Sequence, residues 1–143
     1  IFVDANFTLY VADRANQRVQ RFSYGNRYEV TVVGIGSNQS IALQCPNDVA
    51  MDGDGYLFVV DHCKHRIIAD GPSGYRCIVG CSGSYGLAAN QLTNPAQMAF
   101  DRDGNIYVTD YANYRIQKFM AATQTYCGKS DALLFYSKDA PMS

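Results

Sequence analysis

Short apolar runs, rich in β-branched and aromatic residues, recur along this chain with polar turns between them. The runs LYVAD (9–13), LFVVD (57–61) and IYVTD (106–110) are almost continuously apolar. That is the mark of strands covered on both faces. A shorter run precedes each one: IFVD, VAMD and MAFD. Between the two runs lie DANF, DGDG and DRDG. The last two have the Asp/Gly chemistry of a tight hairpin. In the first, Phe7 stands where the others carry Gly55 and Gly104, so that turn is expected to differ. A third strand is predicted at RVQRF, RIIAD and RIQKF, and a fourth at YEVTVV, YRCIV and TQTYC. Helical periodicity is absent.

The units repeat in register. Asp13, Asp61 and Asp110 stand 48 and 49 residues apart, and Arg18, Arg66 and Arg115 keep the same spacing. So do Asp4, Asp52 and Asp101. Pro46 and Pro95 each follow a leucine by three residues, and Gly34 and Gly80 end the preceding segments. Four short strands in about 45 residues make a β-propeller blade. The expected fold is all-β, with four-stranded antiparallel blades and about three of them present. Residues 1–34 form blade one, 35–81 a connection and blade two, and 82–128 a connection and blade three. Residues 129–143 are read as a tail or the start of a further blade. Three blades do not close a ring, and an open set leaves two apolar faces bare. The chain is therefore expected to be a piece of a longer propeller, or half of a six-bladed ring completed by self-association. The start at Ile1, without a methionine, suits a processed or excised chain.

The pattern P-x2-[VM]-A-x-D-x2-G-x-[LI]-[YF]-V-x-D-x4-R-[IV] resembles the NHL repeat, in three copies reaching to about residue 128. The resemblance implies a propeller scaffold, and such scaffolds serve many tasks. The segment YVADRANQRVQRF is also similar to part of the peptidyl-amidoglycolate lyases, propeller enzymes that hold zinc with histidines. That resemblance implies a histidine after the blade-entry proline. Here Asn47 follows Pro46 and Ala96 follows Pro95, so no such centre is expected within this chain. An amidating-lyase-like or lactonase-like enzyme would need metal ligands from further blades.

Each Asp ends a second strand and each Arg begins a third, so Asp13–Arg18, Asp61–Arg66 and Asp110–Arg115 are expected as structural clamps across the turn. Asn16 and Asn113 suit a left-handed turn residue, with Lys64 in the middle copy. Turn residues that break the repeat are not demanded by the blade. Arg14, Asn16, Gln17, His62, Lys64, His65, Tyr111, Asn113 and Tyr114 are therefore the candidate contacts for a protein or peptide ligand. No cofactor is expected.

Other chemistry is weaker. His62, Cys63 and His65, with Cys77 and Cys81, are zinc-ligand types in the wrong order for a finger. DGDGY lacks the later oxygen ligands of a calcium loop. CGKSD has Thr123 where a phosphate loop needs glycine. The five cysteines form no C-x-x-C pair. Strand alternation puts Cys63 and Cys81 on one face and makes them the expected disulfide. Cys77 and Cys81, about 13 Å apart on an extended strand, are not expected to bond. Asn6 and Asn38 begin glycosylation sequons. Together with cysteine usage they favour a secreted or extracellular location over a cytoplasmic one.

Of 143 residues, 48% are apolar and 17% charged, with 12 basic against 13 acidic side chains. A net charge of −1 argues against nucleic acid as a partner, including the RNA that some NHL propellers bind. No run of 18 apolar residues is present to span a membrane. Of the 11 tyrosines and seven phenylalanines, several, including Tyr10, Phe58 and Tyr107, stand at one repeated strand position, where core packing between blades is expected.

Overall fold

A computed structural model describes residues 1–123 and 133–137, with side chains to 121. Among the described residues, twelve strands form three four-stranded antiparallel sheets. The first holds β1 (Phe2–Val3), β2 (Leu9–Asp13), β3 (Arg18–Phe22) and β4 (Glu29–Gly34) in that order. The second holds β5 (Pro46–Met51), β6 (Leu57–Asp61), β7 (Arg66–Ala69) and β8 (Arg76–Val79). The third holds β9 (Pro95–Phe100), β10 (Ile106–Asp110), β11 (Arg115–Thr123) and β12 (Leu133–Ser137). The fourth strand of the third sheet was expected at TQTYC. The structure instead pairs Leu133–Ser137 with Phe119–Thr123, so part of the expected tail belongs to the third blade. β11 runs nine residues, through Thr123, before the chain can return. Residues 124–132, with Cys127 and all of CGKSD, lie outside the described residues.

Strand alternation sends successive side chains to opposite faces, and each sheet packs its forward face on the backward face of the next. Tyr10, Val19 and Val33 of the first sheet meet Val49, Leu57, Val59 and Ile68 of the second. Phe58, Val60, Ile67 and Val79 of the second meet Met98, Ile106, Val108 and Phe119 of the third. Leu43 and Leu92, three residues before the prolines, seal the two seams from the connections.

The forward face of the third sheet has no neighbour among the described residues. Tyr10 and Phe58 are buried at 9% and 1% exposure, but Tyr107, their equivalent, is 36% exposed under the Lys118 ammonium. The expectation of a core tyrosine is not met there, because no sheet among the described residues covers it. Ile116 is 71% exposed where Val19 and Ile67 are sealed.

The three hairpins between the first and second strands are alike, contrary to the expectation for the first. Asp4 Oδ1 accepts the N–H groups of Asn6 and Thr8. Asp52 serves Asp54 and Tyr56, and Asp101 serves Asp103 and Asn105, in the same way. Phe7 adopts φ 59° where Gly55 and Gly104 have 86° and 79°. The aspartate's bonds impose the turn, and Phe7 bears the cost of a left-handed conformation, about 1–2 kcal/mol for a residue with Cβ.

Gly34 and Gly80 turn the chain at the ends of β4 and β8 with φ 96° and 72°. A Cβ at Gly80 would strike the His65 carbonyl oxygen and come within 3.0 Å of Arg66 Cα. Gly80→Ala should cost about 3 kcal/mol in urea unfolding, from backbone strain plus this clash. Gly53→Ala, in open space, should stay within about 0.5 kcal/mol.

Candidate functional site

Three turns link β2 to β3, β6 to β7 and β10 to β11, each as one short 3₁₀ turn: Arg14–Asn16, His62–Lys64 and Tyr111–Asn113. The left-handed residue that ends each turn is Gln17, His65 or Tyr114, with φ 53–54°. The asparagines were expected there and stand one position earlier. Their amides bind the clamp instead: Asn16 Nδ2 donates to Asp13 at 2.9 Å, and Asn113 Nδ2 to Asp110 at 2.8 Å. Lys64 reaches the Ala42 carbonyl at 3.1 Å.

The carboxylate–guanidinium contacts are 2.8 Å for Asp13–Arg18, 3.0 Å for Asp61–Arg66 and 2.7 Å for Asp110–Arg115. Arg18, then Asn16, holds the Asp13 carboxyl below its ordinary range. Asp61 and Asp110 are fully buried and do more. Asp61 Oδ1 accepts the N–H groups of Gln44 and Cys45, and Asp110 Oδ1 that of Thr93. Each ties the incoming connection to its own blade.

Cysteine pairing departs from expectation. The disulfides are Cys45–Cys63 and Cys77–Cys81, with Cα separations of 5.2 and 5.7 Å. Cys45 comes close to Cys63 because His62 N donates to the Cys45 carbonyl at 3.1 Å. Cys81 folds back on Cys77 because β8 ends at Val79 and Gly80 reverses the chain, so the extended-strand distance does not apply. The face assignment was sound: Cys63 and Cys81 line one cavity of about 420 Å³, with partners other than each other.

The two histidines of this cavity region are not free solvated groups. His62 Nδ1 lies 2.9 Å from the Pro95 carbonyl, and His65 Nδ1 accepts the Asn94 N–H at 3.0 Å. Both secure the entry of the third blade. Burial, then His62, lowers the His65 pKa. With Cys63, Cys77 and Cys81 in disulfides, these zinc-ligand types do not form a thiolate set.

Asn47, where the lyase resemblance implies histidine, joins all three blades. Its Oδ1 accepts from Arg14 at 2.6 Å and its Nδ2 donates to the Ala96 carbonyl at 2.8 Å. Asp52 Oδ1, in the DGDGY segment, accepts the turn N–H groups of Asp54 and Tyr56. Asn6 and Asn38 are both exposed. Among the described residues, no helix is long and apolar enough to cross a membrane.

The exposed members of the turn face are Arg14, Asn16, Gln17, Tyr111 and Tyr114, with Tyr114 at 97%. The first and third turns thus display unlike exposed side chains above the same clamp, while His62, Lys64 and His65 of the second are half-buried.

Comparison with known proteins bears on this arrangement. Residues 92–119 match the family model described as the NHL repeat. No curated protein sequence matches the chain. Among solved structures, a candidate gluconolactonase superposes with TM-score 0.70 at 15% identity, over 95% of this chain and 46% of its own. Virginiamycin B lyase from Staphylococcus aureus gives 0.61 at 12%, over 99% of this chain and 41% of its own. An auxiliary nutrient binding protein from Bacteroides ovatus gives 0.60 at 19%, over 76% and 33%. The chain spans less than half the length of each. At these identities the likeness shows the fold alone.

Proposed function

For this chain, an NHL-repeat protein of β-propeller fold, we propose a non-catalytic interaction module that binds protein or peptide ligands on its clamped-turn face. The observation that carries the reading is the contrast between the invariant Asp–Arg clamp and the unlike residues it displays. A fixed scaffold with variable exposed side chains is how repeat proteins present a binding surface. The ring is completed by a second copy of the chain, and the two disulfides suit an oxidising, extracellular setting.

Peptides selected from a display library against the chain test this. Tyr114→Ala combined with Tyr111→Ala should weaken their binding at least tenfold, about 1.4 kcal/mol or more, as expected when exposed aromatics anchor a ligand. Equal binding by the double variant would sink the reading.

A second reading is favoured by two of the fold neighbours, the candidate lactonase and the lyase. In it the chain is part of a catalytic propeller whose metal ligands come from further blades. Elemental analysis and lactone hydrolysis by a longer parent protein separate the two.

A further inference from the structure

A second cavity, of about 350 Å³, opens between the first and second sheets at the opposite end of the strands from the clamped turns. Arg21, Tyr10, Tyr75, Gln39 and Asp70 converge on it, and Met51 and Leu57 give it an apolar side. Arg21 breaks the repeat. It pairs with Tyr10 across β2 and β3, where Ala69 pairs with Phe58 in the second sheet and Lys118 with Tyr107 in the third. Ala69 is buried in its seam, and Lys118 has Asp101 as an ion partner at 3.2 Å. Arg21 Nε is buried and has no hydrogen-bond partner, and no ion pair involves Arg21 among the described residues.

A buried guanidinium N–H without an acceptor is costly, and native folds seldom leave one unsatisfied. The planar fork of Arg matches a carboxylate in two parallel bonds. Burial raises the pKa of both Tyr10 and Tyr75, so both hydroxyls remain donors at neutral pH. Asp70 supplies an acceptor on the same cavity wall.

We propose that this cavity binds a small carboxylate that also carries a hydroxyl or ammonium donor, with Arg21 taking the carboxylate and Asp70 the donor. The site is independent of the turn face and stands or falls without it.

Isothermal titration of the whole chain with L-serine tests the proposal, against L-serinamide, which lacks the carboxylate, and propionate, which lacks the second donor. L-serine should bind with Kd of about 1 mM, and both controls at least tenfold more weakly. Arg21→Ala, which installs the residue of the second sheet, should abolish serine binding and raise the urea midpoint of the free protein. Four results would overturn the proposal. They are equal binding of serinamide, binding of serine retained in Arg21→Ala, no heat from any probe up to about 100 mM, and a lowered midpoint in Arg21→Ala, which would make Arg21 a structural residue.

Discussion

Light scattering behind a sizing column should give the chain twice its 15.8 kDa monomer mass, and Ile116→Asp should reduce it to a monomer. The third sheet ends in a forward face whose equivalents are sealed elsewhere in the same molecule. Val19 and Ile67 have no exposure, whereas Ile116 has 71%. The first sheet begins in an opposite condition, with Ile1 80% and Val3 52% exposed where Val49 and Met51 pack in the second. The bare forward face therefore fits the bare backward face by the same chemistry that builds the two internal seams. A two-fold pair of chains would use both surfaces twice and close the ring.

In the dimer Ile116→Asp would bury a carboxylate without a partner. That costs several kcal/mol at each of two seams, about 3 or more, and weakens association at least a hundredfold. In the monomer the position is exposed, so unfolding of the monomer should change by only about 0.5 kcal/mol. Tyr114→Asp, on the turn face, should leave the dimer intact. A monomeric or aggregated wild-type chain would show that the covering blades are not supplied by a second copy.

The second large effect lies in the clamps. Asp61→Ala should destabilise the chain by about 3–5 kcal/mol in urea unfolding, and Asp13→Ala by far less. The two pairs look identical in sequence. Asp13 retains 23% side-chain exposure and serves only its own turn, through Arg18 and Asn16. Asp61 is fully buried and also holds the Gln44 and Cys45 N–H groups. Its removal strands the Arg66 charge and two backbone donors at once. Asp110, with Thr93, Asn113, Arg115 and Gln117 around it, should behave like Asp61. Equal losses for Asp13→Ala and Asp61→Ala would show that the connection bonds contribute nothing.

Much of this was legible in the residues. The apolar runs located eleven strands, eight of them to within a residue, because strand-forming runs and Asp/Gly turns are local signals; β5 and β9 begin three residues earlier and β11 ends four residues later than the runs indicate. The spacing of Asp and Arg placed both ends of each clamped turn, because five residues leave the chain little choice of path. The candidate turn residues were chosen by the same logic, as departures from the repeat, and their role in binding is a proposal.

What escaped depends on where separate segments meet. Cys45 and Cys63 are 18 residues apart in sequence, and only the docking of the connection on the turn brings them together. Cys77–Cys81 required the reversal at Gly80, which an extended-strand estimate does not contain. Phe7 reads as a disruption of its turn, yet Asp4 imposes the turn regardless. Arg21 was indistinguishable from a surface cation in sequence, since nothing local says that Tyr75, 54 residues later, lies across the same cavity. The sequence by itself determined the blade, its period and its clamp, since these are satisfied within about 45 residues. The tertiary structure decided which cysteines bond, which apolar faces lack a neighbour among the described residues and where a buried guanidinium N–H lacks a partner. Those outcomes are set by contacts between blades, and the repeat within a blade does not encode them.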